Sequence, residues 1–227
     1  MDYVIVVAAG SGERLGAGIP KALVEIGGAP MLAWSLRTID RCERVRGVVI
    51  AAPAGHEDAI RQAIPIGLRV SVTIVAGGSS RQRSVRAALA AVPDDATAVA
   101  VHDAARPLVT AAVFDAVFDA LAEVAGAMAA SPVADTLKRA DEHGAIAHTV
   151  DRAGLWRAET PQAFRADVLR SAFADADDDE LDRSTDDASM VEARGATVLL
   201  IDSRTPNLKV TTPADAVIAA SLLRMGG

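Results

Sequence analysis

Tyr3-Val-Ile-Val-Val-Ala8-Ala9-Gly10-Ser-Gly12-Glu-Arg14-Leu15, followed by Pro20-Lys21, carries the strongest structural signal in the chain. Residues 3–8 form an apolar, β-branched run without alternation, the pattern of a strand covered on both faces. The glycines that follow let the backbone turn tightly and aim its N–H groups at an anion. Similar runs recur at 48–52, 69–75, 98–102, 127–132 and 197–201. Ala- and Leu-rich segments at 31–38, 54–63, 84–91, 111–123 and 187–195 lie between them and are expected to be helices. In the fourth, Val113, Val117, Leu121 and Val124 fall near helical spacing. Strands alternating with helices predict an α/β fold with a mostly parallel sheet and helices on both faces, here as a single domain over 1–227.

The stretch 136–156 breaks this rhythm. Two extended runs flank the polar turn Asp141-Glu-His-Gly144, which predicts a β-hairpin. An isolated two-stranded ribbon is marginal in water, so the hairpin is expected to project and pack on a second copy of the chain. The acidic run 175–182 is expected to be a solvated, mobile loop, with Thr185 or Asp186 capping the helix that follows.

The first loop is neither a Walker A loop, since no Gly-Lys-Ser/Thr closes it, nor a dinucleotide fingerprint, since its third glycine position is Leu15. It adds two cations, Arg14 and Lys21, and a glycine cradle with two cations suits a triphosphate. A second loop, Ala76-Gly-Gly78-Ser-Ser-Arg81-Gln-Arg83-Ser84, also follows a strand. It reads equally as a ligand-holding loop or as a turn with Ser84 capping a helix. A third, Val101-His-Asp103-Ala104-Ala-Arg106-Pro107, puts a carboxylate at a strand's C-terminal end, where open α/β sheets bind ligands. Asp103 is placed to hold Mg²⁺ and Arg106 to grip an anion. His102 reads as a strand-end histidine without a metal partner, since no second His lies at ligand spacing.

Composition narrows the function. The chain of 227 residues is 51% hydrophobic, which excludes disorder. Its formal charge of −7 excludes the electrostatic footprint of a nucleic-acid binder. One cysteine, Cys42, excludes an internal disulfide and a multi-cysteine zinc site, and reads as a small half-buried residue. No basic leader precedes the first apolar run, and no uncharged apolar stretch approaches the ~20 residues that span a bilayer. A soluble, cytoplasmic protein without a membrane partner is expected.

These loops, together with Asp135-Thr136-Leu-Lys138, Thr160-Pro-Gln-Ala-Phe164 and Asn207-Leu-Lys209-Val-Thr211, occur in an order that resembles the 2-C-methyl-D-erythritol 4-phosphate cytidylyltransferase family of the non-mevalonate isoprenoid pathway. The resemblance spans about residues 3–213, and no second catalytic domain is expected after Pro213. It implies a Rossmann-like three-layer nucleotidyltransferase fold and a Mg²⁺-dependent homodimer. Such an enzyme joins CTP to a sugar-alcohol phosphate and releases pyrophosphate. By that likeness Ala8, Ala9, Gly10, Gly12, Gly78, Ser84 and Ala104 would bind the nucleotide. Arg14 and Lys21 would be catalytic, and Asp103 would hold the metal and face the substrate. Arg106, Thr160, Thr185 and Lys209 would face the acceptor, while Thr136 and Arg152 on the hairpin would complete the partner subunit's site. Relatives often carry an acidic residue in place of Ser79 and Asp in place of Arg83, so Arg83 adds a cation near the nucleotide loop. Another acceptor, such as ribitol 5-phosphate or another sugar phosphate, fits the same nucleotide half, and a non-catalytic nucleotide-binding regulatory domain is the alternative from a different class.

Overall fold

The computed structural model describes residues 1–10, 12, 15–16 and 18–225. Its elements are β1 (Asp2–Val7), β2 (Glu25–Ile26), β3 (Ala29–Pro30), α1 (Met31–Asp40), β4 (Val45–Ala52), α2 (Glu57–Gln62), β5 (Ser71–Ala76), α3 (Arg81–Leu89), β6 (Ala98–Asp103), α4 (Ala111–Ala120) and β7 (Gly126–Pro132). They continue with β8 (Leu137–Ala140), β9 (Ile146–Val150), β10 (Trp156–Arg165), α5 (Ala166–Ala174), α6 (Asp178–Arg183), α7 (Asp187–Glu192), β11 (Val198–Asp202) and α8 (Pro213–Met225). A seven-stranded sheet has the order β11-β7-β10-β6-β1-β4-β5. All its pairs are parallel except those of β10, which runs antiparallel to both β6 and β7.

The absence of alternation in the strands follows from burial on both faces. Val4, Val6, Val48 and Ile50 pack with Leu32, Leu36 and Ile39 of α1 and with Phe114 and Phe118 of α4. Ile5, Val49, Val99 and Val101 point the other way, into Val85 of α3, Leu169 and Phe173 of α5 and Met190 of α7. Each fully buried side chain of this size contributes roughly 1.5–3 kcal/mol, so the sheet is a stiff platform for the loops at its ends. Cys42 is buried rather than half-buried, and burial pushes its thiol up to about 12.

Three expectations change. The hairpin forms as expected, as β8 and β9 in a sheet of their own, but it is followed by a strand that was not expected, β10, in the middle of the main sheet. The acidic run is not a loop. Asp178–Arg183 is helical, capped by the Asp177 side chain, which accepts from Glu180 N–H at 2.8 Å, and anchored by the buried Leu181. The helix after the second glycine loop starts at Arg81 and not at Ser84, because Ser80 is the capping residue and accepts from Arg83 N–H at 3.3 Å. Among the described residues, no helix is long and apolar enough to cross a membrane.

Candidate active site

A cleft of about 490 Å³ opens where loops leave the C-terminal ends of β1, β5 and β6. Chain geometry makes the glycines necessary. The loop after β5 crosses the end of β4, where Gly77 N–H donates to Ala52 C=O at 2.7 Å. A Cβ on Gly77 would stand 2.7 Å from Ala9 Cβ, so only glycine lets the two loops meet. Gly12 has φ +76°, and a Cβ there would lie 3.1 Å from Lys21 Cβ. That close fit seats Lys21, whose backbone N–H also donates to Gly10 C=O at 3.3 Å.

Of the residues expected to act, Ala8, Ala9, Gly10, Gly12, Lys21, Gly78, Ser84, Asp103, Ala104 and Lys209 line this cleft. Arg14 lies outside the described residues. Ser84 supports the loop: its hydroxyl accepts from Gly78 N–H at 3.1 Å and donates to Ser80 C=O at 2.9 Å. Arg106 is buried behind the cleft and donates to the carbonyls of Asn207 at 2.7 Å and Ala158 at 3.2 Å. Arg106 thereby ties the Lys209 segment to β10. Thr160 is buried too. Its hydroxyl accepts from Asp103 N–H at 3.0 Å and lies 3.1 Å from His102 Nδ1. Thr185 is exposed just before Asp186, which caps α7 by accepting from Ser189 N–H at 3.0 Å. Thr136 and Arg152 are exposed at the base of the hairpin, where Arg152 donates to Ala134 C=O. Neither lines the cleft.

Electrostatics converge on Asp103. Oδ1 accepts from Arg81 Nε at 3.1 Å, and Oδ2 pairs with Lys209 Nζ at 2.7 Å. Burial alone would raise this carboxyl, but the Arg81 and Lys209 charges override it and hold Asp103 well below the usual carboxylate range. Its neighbour His102 is buried between Ser35 and Thr160 and tilted against Phe114. Burial pushes that imidazole down to about 4, so it is neutral near pH 7.

Sequence reasoning missed the buried polar support of this site. Arg81 also donates to Asp187 Oδ2 at 2.8 Å, and Asp187 is wholly buried. Burial pushes the Asp187 carboxyl up, against the pull of Arg81. Gln162 of β10 holds α7 in place, with Oε1 accepting from the N–H groups of Asp187 at 3.0 Å and Ala188 at 2.9 Å. The available signal was Gln162 itself, a polar amide directly before the apolar pair Ala163 and Phe164. Arg83 pairs through Nε with Asp182 and through Nη1 with Asp178, both at 3.0 Å, which fastens the acidic helix α6 onto α3.

A cradle built from glycine loops at the ends of parallel strands, with Lys21, Lys209 and Asp103 inside it, is suited to a nucleoside phosphate. The family model described as 2-C-methyl-D-erythritol 4-phosphate cytidylyltransferase matches residues 3–225. The chain belongs to this family. A 2-C-methyl-D-erythritol 4-phosphate cytidylyltransferase of Frankia casuarinae is 46% identical over 220 residues, covering 96% of this chain and 80% of that one. Its counterpart in Parasynechococcus marenigrum is 40% identical over 227 residues and 98% of both chains. The crystal structure of the Thermus thermophilus enzyme of the same name superposes with a TM-score of 0.81. It is 32% identical and covers 99% of this chain and 100% of that one.

Proposed function

We propose that this member of the family transfers the cytidylyl group of CTP to the phosphate of 2-C-methyl-D-erythritol 4-phosphate. The observation that carries the reading is the meeting of Lys21, Asp103 and Lys209 in one glycine-walled cleft. A phosphate monoester is largely ionised near pH 7, so its oxygen needs no general base. The difficulty is two anions approaching one another, and catalysis is positioning and charge neutralisation. A substrate phosphate oxygen attacks the CTP α-phosphorus in line. The new P–O bond forms as the bond from the α-phosphorus to the bridging oxygen breaks, and that electron pair leaves with pyrophosphate. Lys21, joined by Arg14, meets the charge gathering on the α-phosphate and the leaving group.

Asp103 fits a divalent cation such as Mg²⁺ as a single carboxylate, held below the usual carboxylate range by the neighbouring cations. Among the described residues, no group of three or more His, Cys, Asp or Glu offers an all-protein cage. Such an ion would therefore draw its other ligands from phosphates and water, the habit of Mg²⁺. Bound there, it supplies charge neutralisation at the phosphates. The test is pyrophosphate release with CTP, UTP, ATP and GTP against a panel of polyol phosphates. Turnover with CTP and 2-C-methyl-D-erythritol 4-phosphate well above every other pair is expected. Preference for ribitol 5-phosphate would reassign the acceptor, and nucleotide binding without turnover would leave only a binding domain.

The hairpin supports a homodimer. Leu137 and Ile146 stand exposed on it, and Leu155 and Trp156 stand exposed at its return. Packing the arm on a second copy covers them and carries Thr136 and Arg152 to the neighbour's acceptor site. Lys21→Ala and Arg152→Ala chains are each expected to be nearly inactive. Mixed after unfolding and refolding together, they form heterodimers with one intact site, and activity returns. Confirmed heterodimers that stay inactive would remove the shared site.

A further inference from the structure

Both oxygens of Asp103 are already engaged by cations, and the two cations are held very differently. Arg81 has two further ties besides Asp103: Nη2 donates to Asp187 Oδ2 and Nη1 to Gln82 Oε1, each at 2.8 Å. Its side chain is 22% exposed and its partner Asp187 is wholly buried, so it is fixed. Lys209 is 42% exposed on the side chain and lies in the stretch 203–212, which holds neither helix nor strand. Its ammonium is a compact point charge on a four-carbon stem, so moving it costs little reorganisation.

We propose that Asp103 Oδ2 is an exchange point, held by Lys209 in the nucleotide-free chain and surrendered to the divalent cation that arrives with the nucleotide, while Arg81 keeps Oδ1 and so keeps the carboxylate in place. This rests on the reading of the cleft as a triphosphate site. Two cations cannot share the position 2.7 Å from Oδ2 that Lys209 fills. The protein alone is therefore a poor divalent-ion binder, and the phosphates that accompany the ion tip the exchange. The displaced Lys209 ammonium then has no carboxylate partner and is ready for the acceptor's phosphate. Metal–nucleotide binding thus prepares the second substrate's site through one side-chain movement. Arg81 acts as a positioning residue, since it touches Asp103 rather than the reacting atoms.

The test uses Mn²⁺ as probe on nucleotide-free protein, with free ion measured by electron paramagnetic resonance. Lys209→Met removes the competitor and, because Lys209 is half exposed, leaves the fold intact. It is expected to bind Mn²⁺ about tenfold more tightly than the unaltered chain, the size of an ordinary coupling between competing ligands. In that variant Mn²⁺ should broaden the amide signals of Asp103 and Ala104, and adding Asp103→Asn should abolish the gain. An unchanged Mn²⁺ affinity overturns the exchange, and so does a gain without broadening at Asp103. These readouts need no turnover. A chain that gains Mn²⁺ affinity but releases no pyrophosphate would keep the exchange and lose the substrate assignment.

Discussion

Replacing Lys21 with alanine is expected to lower kcat by about 10²–10³-fold, the usual cost of losing one preorganised donor at a developing charge. The expectation rests on how firmly Lys21 is placed. It opens a short 3-10 turn, Lys21–Leu23, directly after Pro20. Its backbone is hydrogen-bonded to Gly10 and pressed against Gly12. A charge carried on a backbone that is set before substrate binds has less to reorganise as the reaction proceeds, so its loss is expected to fall mainly on kcat. The KM for CTP should move much less, since other groups bind the nucleotide equally in ground and transition states. Lys21→Arg should recover only part of the rate, because a planar fork does not occupy the place of a point charge. Steady-state kinetics with CTP and the sugar phosphate decide the matter. A Lys21→Ala chain with unaltered kcat would take Lys21 out of the chemistry.

The parts of this site that were legible in the sequence are those written locally. Strands β1, β4 and β6 are continuous Val, Ile and Ala runs because both faces are covered, and glycine loops at their ends read directly as turns. Asp103 is the last residue of β6 and Lys21 follows the glycine loop that leaves β1, so both were expected at the cleft that they line. β10 was not legible. Its polar stretch Glu159-Thr160-Pro161-Gln162 gives no strand pattern, its pairing is with distant β6 and β7, and His102, Asp103 N–H and α7 meet its Thr160 and Gln162 side chains. The acidic helix α6 was hidden similarly. Two of its carboxylates are matched by Arg83, and Glu180 by Arg194, and the first of these partners is nearly a hundred residues away. Arg83, legible only as an added cation, has its role once α3 and α6 are side by side.

The same hidden layer yields the largest expected effect on stability. Arg81→Met is expected to destabilise the chain by about 3–5 kcal/mol, the cost of breaking a buried ion pair from one side. The variant keeps much of the side chain's volume, so the loss comes from charge rather than from a cavity. It leaves Asp187 wholly buried without its cation, and Asp187 Oδ1 already lacks a hydrogen-bond partner among the described residues. It also removes one of the charges that keep Asp103 ionised. The sign with pH follows. Burial raises the Asp187 carboxyl in the folded chain, and losing Arg81 raises it further. A group with a raised folded-state pKa stabilises the fold below its unfolded pKa and loses that contribution as pH climbs through the folded value. The deficit of Arg81→Met should therefore be greatest near neutrality and shrink as the solution is acidified. Pairing it with Asp187→Leu removes the orphaned charge, and the double variant should regain a good part of the lost stability. Denaturant titrations of the two single variants and the double variant at neutral and mildly acidic pH measure both effects. Additive losses that do not change with pH would show that Arg81 and Asp187 do not act as a pair.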